Sequence, residues 1–396
     1  MSHPPRFEGL RNVFLLVAAL LTGGAATNTA NCGTTPTSPT PTSPTPTPGP
    51  NTEIFTTADG VRFFVDTVAT SLALPWSLAF APDGRLFFTE RPGRVRILQN
   101  GVVLPQPALT IADVIANGES GALGLALHPD FARTHFVYVA YTGAGTRAGA
   151  VNRLVRYREV ANTLAEPMVL IDDLAAASIH DGGRVKFGPD GRIYMTMGDA
   201  AFADNAQSLA SYNGKILRLN EDGTPAAGNL AGPIFSWGHR NPQGIDWHPA
   251  TGELWETEHG NVGNDEVNVV ESGRNYGWPV IEADATRPDM MSPIAFYSPS
   301  IAPSGASFYR GAQFPAFANN FFFGTLRGVH IHRLRLDPAG ARRIVAEERL
   351  VENRFGRIRD VVPGPDGYLY FTTSNRDGRG DVAAVDDRIL RLVPVR

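Results

Sequence analysis

Cysteine is almost absent from this chain of 396 residues: Cys32 is the only one. No intrachain disulfide can form, and a cluster of thiolate metal ligands is excluded. Runs of basic residues are lacking and the formal net charge is −4, which argues against nucleic acid or an acidic membrane surface as partner. No His-x-x-x-His pair occurs, so a zinc site of that type has no support. No G-x-S-x-G pentapeptide occurs either. Gly118-Glu119-Ser120-Gly121-Ala122 and Gly305-Ala306-Ser307-Phe308-Tyr309 lack the final glycine, and serine-hydrolase chemistry loses its signature. Long apolar runs are missing as well. The longest, Val13 to Leu21, is too short to span a bilayer comfortably.

Glycine and proline, by contrast, are plentiful, and they recur in a pattern. Pro82-Asp83-Gly84 precedes Arg85-Leu86-Phe87-Phe88-Thr89-Glu90, and Pro189-Asp190-Gly191 precedes Arg192 to Met197. Pro365-Asp366-Gly367 precedes Tyr368 to Thr372. His128-Pro129 and His248-Pro249 head similar units, and Phe314-Pro315 is a weaker copy. Proline fixes φ and glycine supplies positive φ, so each unit reads as a tight turn feeding a strand. The strand residues are aromatic or β-branched, as buried strands require. Successive turn prolines lie 47 to 66 residues apart, a period typical of propellers and arrays. Each unit alone is an ordinary hairpin turn; the recurrence is the signal. The expected fold is all-β, a six-bladed β-propeller of four-stranded blades around a central channel.

The first residues stand apart. Arg6 and Arg11, the apolar run and Gly23-Gly24-Ala25-Ala26 have the charged, apolar and small-residue regions of an export signal over 1–31. Cys32 follows, at the head of a Thr/Pro/Ser-rich linker over 32–51 that has nothing to bury and is expected to act as an extended spacer. A lipid-anchored Cys32 and a plainly secreted protein are both compatible with this segment. Either places the domain over 52–396 outside the cytoplasm, in the periplasm or at the cell surface.

Side chains able to do chemistry cluster in loops beside the repeats: Glu119, His180 before Gly182-Gly183, Arg240-Asn241, His259-Gly260-Asn261, Arg327, and Arg357 with Arg359. Loops on one face of a propeller converge on the channel, so these can meet. Several arginines suit a planar, carboxylate-bearing ligand. Arg357 and Arg359 are two apart and share a strand face; the alternative for such a pair is a solvated edge strand with surface salt bridges. His180 can be a base, a metal ligand or a structural histidine. Asn264-Asp265-Glu266 offers oxygen ligands to calcium, or a turn cap.

Gly238-His239-Arg240-Asn241-Pro242-Gln243-Gly244, Asp265-Glu266-Val267-Asn268 and Asn275-Tyr276-Gly277-Trp278-Pro279 together resemble the quinoprotein family of soluble glucose, aldose and sorbosone dehydrogenases. The resemblance covers nearly the whole chain after the linker. It implies a six-bladed propeller using pyrroloquinoline quinone (PQQ) and calcium, an aldose substrate oxidised at its C1 hydroxyl to a lactone, and an external electron acceptor such as a quinone, dye or cytochrome. Assembly as monomer or dimer stays open. By the same resemblance His180 is the catalytic base and Arg240 polarises a quinone oxygen. Glu119, Asn241, His259, Arg327, Arg357 and Arg359 surround the cofactor. The carbonyls of Gly260 and Asn261 hold the active-site calcium, and Asp265, Glu266 and Tyr276 lie at a second, structural calcium. Two other classes remain: a calcium-dependent lactonase-like hydrolase, which needs a carboxylate and Asn cage in the channel, and a non-catalytic sugar-binding propeller.

Overall fold

Six antiparallel sheets follow one another along the chain in this computed structural model, which describes residues 46–146, 149–337 and 342–395. The segment over 1–31 expected to direct export, Cys32 and most of the linker over 32–51 lie outside the described residues. Each sheet is one blade, and its first strand faces the centre. These innermost strands are Pro75–Phe80, Ala122–Leu127, Val185–Phe187, Pro242–Trp247, Pro303–Phe308 and Ile358–Pro363, and they pack against their neighbours around the channel. Blades two to five are four-stranded as expected. In the first blade two short strands, Val102–Val103 and Leu109–Thr110, share the outer position against Arg94–Gln99. The sixth blade is closed by a strand from the other end of the domain. Arg62–Ala69 pairs with Ile389–Pro394, with Phe64 opposite Val393, and Phe55–Thr56 adds a short outer edge. The ring is thus latched by hydrogen bonds between the two ends of the domain.

The strands bury both faces, because every blade is sandwiched between two others. Six apolar clusters result, one at each blade junction. Phe87 packs toward the second blade with Val137 and Val139, while Leu86 and Phe88 pack toward the sixth with Tyr370 and Val393. Phe322 and its neighbours Phe321 and Phe323 divide in the same way. Alternation along a strand therefore sorts residues between two cores rather than between core and solvent, so these strands read as continuous apolar runs.

The recurring turns join first strand to second. Gly84 has φ +88° and donates to Ala81 O at 3.0 Å, and Asp83 Oδ1 accepts the Arg85 N–H at 3.0 Å. Asp190 and Asp366 repeat this and also accept the hydroxyls of Tyr194 and Tyr370 at 3.1 and 2.6 Å. Where histidine precedes the proline, its ring takes over: His128 Nδ1 accepts from Asp130 N at 3.0 Å and His248 Nδ1 from Ala250 N at 3.2 Å. The weak fifth copy is a 3₁₀ turn over Pro315–Phe317 instead.

Candidate active site

With those turns at one end of the channel, antiparallel strands send every second-to-third connection and every entry into an innermost strand to the other. Glu119, His180, Arg240, Asn241 and Arg357 sit on or just before the entries. Asp199, His259, Arg327 and Asp377 follow second strands. The irregular start of the innermost strands helps to aim them: five of the six carry a register shift near this end, and such bulges redirect side chains. Arg357 and Arg359 are on an innermost strand or at its mouth and are both buried, so the edge-strand alternative is excluded.

His180 has φ +64°, uncommon for a residue with a side chain. Its loop passes close beneath the neighbouring connection. A Cβ on Gly198 would lie 2.0 Å from His180 O, and one on Gly182 would lie 2.7 Å from Gly198 N. His180 Nδ1 lies 2.7 Å from Asp199 Oδ1. A carboxylate can only accept, so Nδ1 carries the proton, and the Nε2 lone pair is left free to take another. Asp199 was not among the residues expected from sequence. Its Oδ1 also accepts the Ala201 N–H at 2.8 Å and its Oδ2 the Trp278 indole N–H at 2.9 Å. Asp181, beside His180, fastens the loop from below through Ser120 and Asn152 at 2.7 and 2.9 Å. Burial pushes its carboxyl up to about 6 against those bonds.

Glu119 is the hub of the opposite wall. Its Oε2 accepts the His180 N–H at 3.0 Å and Asn241 Nδ2 at 3.2 Å, and its Oε1 accepts Arg379 Nη1 at 3.2 Å. Burial raises this carboxyl, but His259 when protonated, the His180 N–H and the Arg379 guanidinium outweigh it and lower it to about 2. Asn241, fully buried, spends its oxygen on Gly182 N at 3.1 Å. Arg240 lies over the Trp278 ring at 5.1 Å and donates to His259 O at 3.1 Å, while its Nε has no partner. His259 Nε2 lies 2.8 Å from the Pro303 carbonyl, which fixes a proton on that nitrogen, and burial lowers its affinity for a second. Arg357 clasps Asp377 through Nε and Nη2 at 2.9 and 2.7 Å. Arg359 donates to Gln243 Oε1 at 2.7 Å, and its Nε is buried without a partner. Burial, with Arg357 alongside, pulls Arg359 down to about 9. Arg327 is exposed on its connection. Gln243 and Trp278, which stand in the motifs quoted above without a role of their own, also join the site, and Asp377 and Arg379 join it without having been expected there.

The residues expected to hold cations divide. Gly260 is a glycine by necessity, since a Cβ would lie 2.1 Å from Gly263 O. Among the described residues no hydrogen bond reaches the Gly260 or Asn261 carbonyl. Asp265, Glu266 and Tyr276 do not converge. Asp265 accepts Gly260 N at 3.0 Å, Ser300 Oγ at 2.7 Å and the N–H groups of Ile301 and Ala302 at 2.6 and 2.7 Å, so it ties loops together. Tyr276 donates to Val269 O at 2.8 Å and stacks on His239. Glu266 faces the other way, toward Glu256, Glu258 and Asn268. His239, Glu256 and Glu258 bring ligand atoms within 4.8 Å of one another. Burial and Glu258 push Glu256 well above the carboxylate range and Glu266 up to about 8. The side chains of Asp265, Glu266 and Tyr276 therefore do not meet at one point, and the group of described residues whose ligand atoms do meet is His239, Glu256 and Glu258.

A histidine held on a carboxylate and buried arginines with unpartnered Nε atoms gather at one end of a six-bladed ring, the arrangement of a propeller enzyme. The Glucose / Sorbosone dehydrogenase family profile matches residues 72–390, and the chain belongs to that family. A putative oxidoreductase (glucose dehydrogenase) of Thermus thermophilus superposes with a TM-score of 0.77 at 42% identity, over 84% of this chain and 100% of its own. The PQQ-bound aldose sugar dehydrogenase of Streptomyces coelicolor superposes with a TM-score of 0.76 at 33% identity, over 88% and 100%. The aldose sugar dehydrogenase of Escherichia coli is 30% identical, over 79% of this chain and 91% of its own.

Proposed function

We propose that this enzyme oxidises the C1 hydroxyl of aldose sugars to lactones, with PQQ and calcium as cofactors and an external electron acceptor. The observation that carries the reading is His180: its Nδ1 is bound to Asp199 at 2.7 Å, which leaves Nε2 without a hydrogen-bond partner among the described residues, and on neighbouring entries the buried Nε atoms of Arg240 and Arg359 lack partners too. Buried donors without acceptors signal a missing anion, and the donor set fits a planar tricarboxylic quinone. When bound, that group supplies a two-electron hydride acceptor. His180 Nε2 takes the C1 hydroxyl proton, and Asp199 stabilises the imidazolium that results. Arg240 sets positive charge where an oxyanion develops. Arg357, Arg359 and Asn241 hold the cofactor, and the Gly260 and Asn261 carbonyls suit calcium, a hard cation. Glu266 with Glu256 and Glu258 would hold a structural one. A lactonase-like hydrolase needs carboxylates free in the channel. Here Glu119 is taken by His180, Asn241 and Arg379, and Asp377 by Arg357.

Apoprotein stripped of metal should retain PQQ only when calcium is also supplied. Melting should then rise, since ligand at 100 times its Kd stabilises by about 2.7 kcal/mol, and dye reduction should follow with aldoses. If PQQ washes off in the presence of calcium and melting does not move, the reading fails. Export is part of the same proposal: the domain works in the periplasm or at the cell surface. Among the described residues no helix is long and apolar enough to cross a membrane. Intact mass of the native protein should show the first segment removed, with a diacylglyceryl group on Cys32 if the protein is anchored; an unprocessed chain would contradict export.

A further inference from the structure

The first blade repeats at its second strand what the fourth does at the site. Thr89-Glu90-Arg91 matches Thr257-Glu258-His259, and the match is structural. Both strands end at the glutamate. Glu90 Oε1 accepts the Ala73 N–H at 2.8 Å, and Glu258 Oε2 accepts the Arg240 N–H at 2.6 Å. Each glutamate grips the segment entering its own blade's innermost strand, and each presents the next residue at the channel mouth. In the fourth blade that residue is His259. In the first it is Arg91, to which no role has been assigned.

Arg91 is 9% exposed, and its Nε is buried with no hydrogen-bond partner. Its stem crosses Gly121, whose φ is +140°; a Cβ there would lie 2.6 Å from Arg91 Cγ and 2.3 Å from its carbonyl oxygen. The charges around it are Asp377, Glu119, Arg379 and Arg357, and Arg359 feels its charge as well. Both anions are already engaged, Asp377 by Arg357 and Glu119 by Arg379. Arg91 therefore stands among other guanidinium groups without an acceptor of its own, a costly arrangement unless an anion completes it.

We infer that Arg91 is a binding residue for a carboxylate of the quinone cofactor, acting beside Arg357 and Arg359. The inference rests on the function proposed above. A fork of donors whose buried edge is unspent suits a carboxylate, and charge-assisted bonds of this kind are the stronger ones.

The test is equilibrium binding of PQQ to calcium-loaded apoprotein, with free quinone separated by ultrafiltration and read by absorbance. Arg91→Ala should raise Kd by about 10- to 100-fold, and Arg91→Lys, which keeps the charge but loses the fork, by less. Arg133→Ala, at an exposed surface pair with Asp130, should bind as the parent does. If Arg91→Ala binds PQQ with the parent Kd, even while melting lower, Arg91 is a packing residue and the inference is wrong while the proposed function stands. If the parent itself binds no PQQ, both fall. Should Arg91→Ala not fold, Arg91→Gln, which keeps a polar stem and loses the charge, decides by the same comparison.

Discussion

His180→Ala, reconstituted with PQQ and calcium, is expected to turn over aldoses on the order of 10²–10⁴-fold more slowly than the parent, the usual contribution of a general base. Cofactor retention should change far less. The His180 contacts explain the split. Its ring binds only Asp199, whereas its backbone N–H is what Glu119 holds at 3.0 Å. Alanine keeps that N–H, so the loop stays fastened to Glu119 and, through Gly182 N, to Asn241. The positive φ makes the substitution mildly strained, though no more so than in the parent, which already pays for a Cβ at φ +64°. Arg357→Ala should show the opposite pattern: the quinone is released more readily, with a smaller loss of turnover at saturating cofactor. If His180→Ala oxidises aldoses at the parent rate, His180 is structural, and His259 or Glu119 becomes the next base to examine.

The ring of blades was legible because its turns are punctuated by Pro-Asp-Gly, where backbone geometry leaves few residue choices. The strand Arg62–Ala69 was not. It carries no turn signal of its own, and its partner Ile389–Pro394 is more than 300 residues away, so only the closed ring reveals the pairing. At the site, His180, Arg240, Asn241, Arg357 and Arg359 stand in recognisable motifs and all reach the channel mouth. Asp199 and Arg379 had no motif to mark them, since each acts by meeting a residue from another blade, and Trp278 stood in a motif that gave no hint of its bond to Asp199. Asp199 still had a positional clue: it follows a second strand, as His259 does. Grouping Asp265 with Glu266 went against strand periodicity. Adjacent residues on Asp265–Val270 face opposite sides, so Asp265 is turned to the loop over 300–302 while Glu266 is turned to Glu258.

Asp199→Asn should be as damaging as loss of His180 itself, again on the order of 10²–10⁴-fold in turnover, although it changes the volume of the side chain hardly at all. Asp199 receives three donors: His180 Nδ1–H and Ala201 N–H at Oδ1, and the Trp278 indole N–H at Oδ2. Only a carboxylate presents acceptors on both sides. An asparagine has one oxygen, and either orientation fails somewhere. With its oxygen toward His180, its NH₂ faces the Trp278 N–H, donor against donor, in a site where neither is easily rehydrated. Turned round, it satisfies Trp278 but offers a donor to His180 Nδ1. The ring must then hold its proton on Nε2, the atom that has to accept one from the sugar. The charge that steadies the imidazolium is lost in both cases. Arg240 should feel the change too, because its guanidinium rests on the Trp278 ring at 5.1 Å. PQQ affinity, carried by residues on other blades, should move little. The decisive measurement is single-turnover reduction of the bound cofactor by aldose at saturating sugar. A parent-like rate in Asp199→Asn would mean that the tautomer of His180 is set by something other than Asp199, and that the base has been misassigned.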